Sequence, residues 1–94
     1  MVTAIVLATV KRNAVNETAQ ALLALEGVAE TYSVAGEWDL VIIIRVKDNE
    51  QLADLVTEHM LKLEGITKTT TLIGFRAYSR YDLERMFSVG LEKA

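Results

Sequence analysis

Neither cysteine nor proline occurs among the 94 residues, and histidine and tryptophan occur once each, as His59 and Trp38. Without cysteine there is no disulfide framework, no thiolate metal site and no Cys nucleophile, and the expected compartment is the cytoplasm. A lone histidine with no cysteine beside it argues against zinc, so neither a metal nor a cofactor is expected. Ten basic residues are outnumbered by 13 acidic ones, for a net charge of −3, and they form no basic stripe of the kind that binds nucleic acid directly. The longest apolar run, Leu40-Val-Ile-Ile-Ile44, is far too short to cross a bilayer, and no membrane partner is expected. The apolar start of the chain lacks the small-residue cleavage site of a signal peptide. The five glycines are scattered, so no glycine-rich run cradles a phosphate.

What the chain does have is hydrophobic residues, 51% of the total against 24% charged. That is the balance of a globular protein with one domain, near the size at which a second subunit often supplements the core. Its clearest internal pattern is a repeat: Leu23-Ala-Leu-Glu-Gly-Val28 returns as Leu61-Lys-Leu-Glu-Gly-Ile66. Each copy closes a helical pattern and opens a β-branched run, with Gly27 and Gly65 expected just past the helix end, in the left-handed conformation glycine accepts. The match continues through Thr31 and Thr69 to Gly36 and Gly74. The chain therefore consists of two similar βαβ halves.

Strands are expected over 2–10, 28–36, 40–47 and 66–78. One helix carries Val15, Ala19, Leu22 and Leu23 with Asn13 or Asn16 as cap. A second carries Leu52, Leu55, Val56, Met60 and Leu63 behind an Asp48/Gln51 capping box. Ser79-x-x-Asp82 can cap a third, short helix, which divides the chain into a domain over 1–79 and a C-terminal helical extension over 80–94. The order β-α-β-β-α-β gives an α+β, ferredoxin-like sandwich with both helices on one face of an antiparallel sheet.

That arrangement leaves the other face bare, yet the first and third strands are apolar at both parities. Ile5, Leu7, Val41 and Ile43 point away from the helices. Leaving four such side chains in water forgoes roughly 6–12 kcal/mol at about 1.5–3 each, comparable to a whole domain's stability of about 5–15 kcal/mol. A second copy packed sheet against sheet, in the manner of a dimeric α/β barrel, is the simplest cover. The competing account, in which the C-terminal helix folds back over the sheet, supplies too few apolar residues.

Chemistry-bearing residues are sparse, and no catalytic constellation emerges. His59 sits on a helix flank, where a surface or structural role is far commoner than general-base work, and Asp48, Glu50, Glu26 and Glu64 are explained as caps and solvated helix ends. Tyr32, Phe75 and Tyr78 lack the interleaved basic residues of an RNA-binding sheet. Two clusters remain. In Gly36-Glu-Trp-Asp39 a turn glycine lets backbone amides approach a carboxylate, Trp38 can wall an apolar side chain and Asp39 can accept from an ammonium; a hairpin turn with a packed Trp explains the same residues. Thr69-Thr-Thr71 offers hydroxyls to a small polar ligand, or is simply a good strand former.

The succession of L-x-L-E-G-V, a strand, G-x-W-D-L, an aliphatic strand, an Asp-capped helix and a second L-x-L-E-G-I before a Thr-rich strand resembles the effector-binding or RAM domain of the Lrp/AsnC transcription regulators over nearly the whole chain. The resemblance implies a sandwich that dimerises through its sheets, assembly into tetramers or octamers, and amino-acid effectors held between dimers. It implies that Gly36, Glu37, Trp38 and Asp39 form one wall of that pocket, with Thr69 and Thr71 of a neighbouring subunit opposite. Family members carry an N-terminal helix-turn-helix, and this chain begins at the first strand. The expectation is a stand-alone, non-enzymatic module acting by itself or in mixed assemblies with full-length relatives. The alternative is a small dimeric α+β barrel enzyme, which requires His59 or Tyr32 to face a cavity. An ACT-type amino-acid domain is a structural cousin, but its glycine falls where this chain has Lys11-Arg-Asn-Ala-Val15.

Overall fold

The chain runs β1 (Val2–Val10), α1 (Val15–Leu23), β2 (Val28–Ser33), β3 (Leu40–Val46), α2 (Asn49–Asp54) and β4 (Ile66–Ile73) in a computed structural model that describes residues 1–78 and 80. The four strands form one antiparallel sheet in the order β2-β3-β1-β4, the ferredoxin-like arrangement that two interleaved βαβ crossovers produce. The two most aliphatic strands, β1 and β3, take the two central places. β2 and β4 stop at Ser33 and Ile73, short of the expected 36 and 78. The helix expected over 80–94 falls outside the described residues.

The helix-facing side of the sheet is the core. Ala4, Val6, Ala8, Leu40, Ile42 and Ile44 are fully buried there together with Leu22 and Met60 from the helical layer. α2 continues through a π turn at Leu55–His59 and a tight turn at Met60–Lys62. Ordinary helical spacing from Leu55 would carry His59 inward; the wider turn brings Met60 onto the buried face instead and leaves His59 outside. The Asp48 capping box forms, with the Gln51 N–H donating to Asp48 Oδ1 at 2.8 Å and the Gln51 side chain accepting from the Lys47 N–H at 2.7 Å. Asp48→Ala should therefore cost about 1 kcal/mol in a urea unfolding experiment.

α1 departs from expectation. Ala14 occupies its N-cap position with no side-chain cap, so neither Asn13 nor Asn16 serves, and Leu23 is 52% exposed. Val15, Ala19 and Leu22 follow the inward stripe; Leu23 lies a further 100° round the helix and leaves it. Thr18 turns inward instead and is buried. The reason is Gly65: a Cβ there would collide with Thr18 Oγ1 and lie 3.3 Å from Ala14 Cβ. Of Gly27 and Gly65 only Gly27 has the left-handed φ, +101°, so the two positions call for glycine on different grounds.

Across the sheet from the helices lie Ile5, Leu7, Val41 and Ile43, paired row by row as Ile5 with Ile43 and Leu7 with Val41. Leu72 of β4 and Tyr32 of β2 extend the patch. Ile5, Leu72 and Tyr32 are exposed, the others half-buried. The penalty for a bare face is thus smaller than that for four fully solvated side chains, but no described element covers it.

Candidate functional site

The β2–β3 connection is locked to the sheet by Asp39. Its N–H donates to the Ala8 carbonyl at 2.9 Å, its carbonyl accepts from the Val34 N–H at 3.0 Å, and Oδ2 of its side chain accepts from the Val10 N–H at 2.8 Å. Val10 needs that acceptor because its N–H points to the β3 side, as the Ala8 carbonyl does, and the β1–β3 pairing ends at Ala8 and Leu40, which leaves the N–H without a ladder partner. Asp39 thus fixes the loop while half-buried, and Oδ1 makes no hydrogen bond among the described residues. Asp39→Ala should cost about 1.5–3 kcal/mol in urea unfolding, the range for a hydrogen bond to a charged group. Asp39→Asn, which keeps an oxygen for Val10, should recover most of that loss.

Trp38 lies half-buried beside this anchor with Lys68 Nζ 5.5 Å from its ring centroid. Lys68 pairs with Thr9, so the contact spans β1 at the end of the open face. Gly36, with φ at +122° and nothing within 4 Å of a Cβ, and Glu37 stand exposed at the tip.

The two halves of the expected site do not meet within one chain. Thr69 and Thr71 sit opposite Ala8 and Val6 on β4, while Asp39 bonds Ala8 from the β3 side. β1 stands between them, a gap of two strand spacings or ~9.5 Å. Thr69 and Thr71 also share the parity of the buried Ala8 and Val6, the helix-facing side, whereas Lys68 and Trp38 meet on the other. Lys68 was not singled out from the sequence. The available signal was weak: a cation one position before the Thr run.

Two clefts open on the helical side. The larger, about 350 Å³, lies between α1 and the entrance to β4 and is lined by Lys11, Glu17, Thr18, Lys62 and Gly65 among others. The smaller, about 270 Å³, is lined by Glu26, Gln51, Asp54, Leu55 and His59 among others. Neither includes residues 36–39. In the smaller one His59 Nε2 stands 3.8 Å from Asp54 Oδ2, a neighbour relation of residues five apart that the π turn creates. Both side chains are more than half exposed, and the lining supplies no hydroxyl, thiol or amine nucleophile for His59 to activate. Tyr32 lies in no cleft; its hydroxyl donates to Glu30 on the open face, and that hydrogen bond and the Glu30 charge raise its pKa above the ordinary phenol value of 10.0. No helix among the described residues is long and apolar enough to cross a membrane.

Comparison with known proteins gives a consistent result. The family model described as the Lrp/AsnC ligand binding domain matches residues 3–83. The crystal structure of TTHA0845 from Thermus thermophilus is 49% identical with a TM-score of 0.80, and the match covers 85% of this chain and 100% of that one. The HTH-type transcriptional regulator PF0250 of Pyrococcus furiosus is 32% identical over 59 residues, 63% of this chain and 39% of the regulator, so the chain spans about two fifths of that relative's length. The feast or famine regulatory protein Rv3291c from M. tuberculosis, solved in complex with L-methionine, is 27% identical with a TM-score of 0.71 over 85% of this chain and 54% of that one. The curated relatives are transcriptional regulators, not enzymes.

Proposed function

The chain belongs to the Lrp/AsnC ligand binding domain family, and from that premise we propose that it is a non-enzymatic amino-acid-sensing and assembly module that influences transcription through the chains it assembles with. The observation that carries this reading is the loop Gly36 to Asp39, pinned to β1 at Ala8 and Val10 so that Trp38 and the unbonded Oδ1 of Asp39 are held at one end of the sheet. A preset wall of this kind spares a small ligand the cost of ordering a loop. In the proposed pocket Trp38 packs on the apolar part of the effector, Asp39 Oδ1 accepts from its ammonium, and Gly36 and Glu37 border the opening. Thr69 and Thr71 come from a neighbouring subunit. Their separation from Asp39 within one chain supports a site completed by assembly, and the L-methionine bound to the 27%-identical Rv3291c supports an amino acid as its occupant.

The open sheet face is the proposed dimer surface, with tetramers or octamers built from such dimers, and its generic aliphatic surface also suits mixed assembly with full-length relatives. Contact with DNA is left to those partner chains, in keeping with the net charge of −3. Light scattering with and without millimolar amounts of each common amino acid tests the whole reading. Oligomers above the dimer that change mass with one or a few amino acids are expected, and a mass indifferent to all of them overturns effector sensing.

A further inference from the structure

Lys68 is the one charged side chain whose position at the proposed site is set by an aromatic contact rather than by an ion pair. Its Nζ stands 5.5 Å from the Trp38 centroid, and among the described residues it forms no salt bridge. An ammonium over an indole keeps its charge and its outward N–H donors available while its long chain is held on the ring. The loop beside it contributes only carboxylates, Glu37 and Asp39, and the neutral amides near Gly36. A zwitterion packed on Trp38 has an anionic end as well as a cationic one, and those carboxylates repel the anionic end. Lys68 is the cation in contact with the wall itself.

We propose that Lys68 anchors the carboxylate of the ligand at the Trp38 site, so that the site selects molecules with a free carboxylate beside an apolar body. This assignment rests on the amino-acid reading above. The cation reaches the site because Lys68 pairs with Thr9 in the last row of the regular β1–β4 register, one residue before the Val10 N–H that Asp39 accepts.

The test uses Trp38, the sole tryptophan of the chain, as a fluorescent reporter, with calorimetry alongside. The common amino acids are titrated first, and those that bind are compared with their carboxyamides at about pH 6, where both α-amino groups are largely protonated. For the wild-type protein the amide should bind at least about tenfold more weakly, the loss expected for one charge-assisted hydrogen bond. In Lys68→Gln the free acid should fall to the affinity of the amide while the amide is unchanged, and Lys68→Arg should restore the preference. The assignment is overturned if Lys68→Gln binds the acid as well as the wild type does, or weakens acid and amide equally, as loss of a mere cover on the ring would. If the wild-type protein binds no amino acid, the amino-acid reading itself fails before any variant is made, and the role of Lys68 with it.

Discussion

Gly27→Ala should destabilise the protein by about 2–5 kcal/mol. Two costs add. Gly27 has φ at +101°, where an L side chain meets its own backbone at roughly 1–2 kcal/mol. The added Cβ would also lie 2.8 Å from Val46 Cγ1 and 3.1 Å from Leu55 Cδ2, and overpacking a filled core costs about 1–3 kcal/mol. Urea unfolding at fixed protein concentration checks this, the fixed concentration being needed because assembly contributes to apparent stability.

Its counterpart in the repeat, Gly65→Ala, separates the two mechanisms. Gly65 has no left-handed φ, so its cost of about 1–3 kcal/mol should come from the collision with Thr18 Oγ1 alone. Thr18→Ala in the same chain removes the colliding oxygen and should recover most of that loss, a coupling of contacting residues that a double-mutant cycle measures. Truncating Val46 should rescue Gly27→Ala only in part, since the backbone strain stays. Full rescue would show that φ contributes little.

If the chain forms the proposed sheet-to-sheet dimer, Ile43→Lys should yield monomers that remain folded. Ile43 is half-buried on the open face, between Ile5 of β1 and Glu30 of β2. In a single chain a lysine there can extend its stem over Ile5 and carry its ammonium to water, with little loss of fold stability. In a sheet-to-sheet dimer every substitution occurs twice about the two-fold axis, so two ammonium groups would be desolvated in the same apolar layer at several kcal/mol each. The dimer dissociation constant should rise by about a thousandfold or more. Sedimentation would report the loss of mass, and far-ultraviolet circular dichroism the retained fold. An unchanged mass would mean that the chain assembles through another surface.

Much of this architecture is legible in the sequence because hydrophobic patterning and local capping are short-range. The aliphatic run 40–44 could only be a central strand, Asp48 and Gln51 announce the start of α2, and the repeated L-x-L-E-G marks both crossovers. The reading fails where long-range contacts decide. Asn13 and Asn16 are good capping residues, yet Ala14 takes the N-cap position, and Thr18 joins the buried stripe where Gly65, from a distant part of the chain, approaches α1. The π turn after Asp54 is likewise invisible to a search for helical spacing, since it arises where Met60 rather than His59 meets the sheet.

For the candidate site the division is similar. The sequence by itself determined that a glycine turn with Trp38 and Asp39 joins two strands and that β1 and β3 are apolar on both faces, because residue type and parity decide these. Only the tertiary structure decided that Asp39 binds the Val10 N–H, that Lys68 lies over Trp38, and that β1 separates the loop of Trp38 and Asp39 from Thr69 and Thr71. Each depends on the register between strands distant in the chain. A shift of a single residue moves a side chain to the opposite face of a sheet, and nothing in the local sequence of either strand fixes that count.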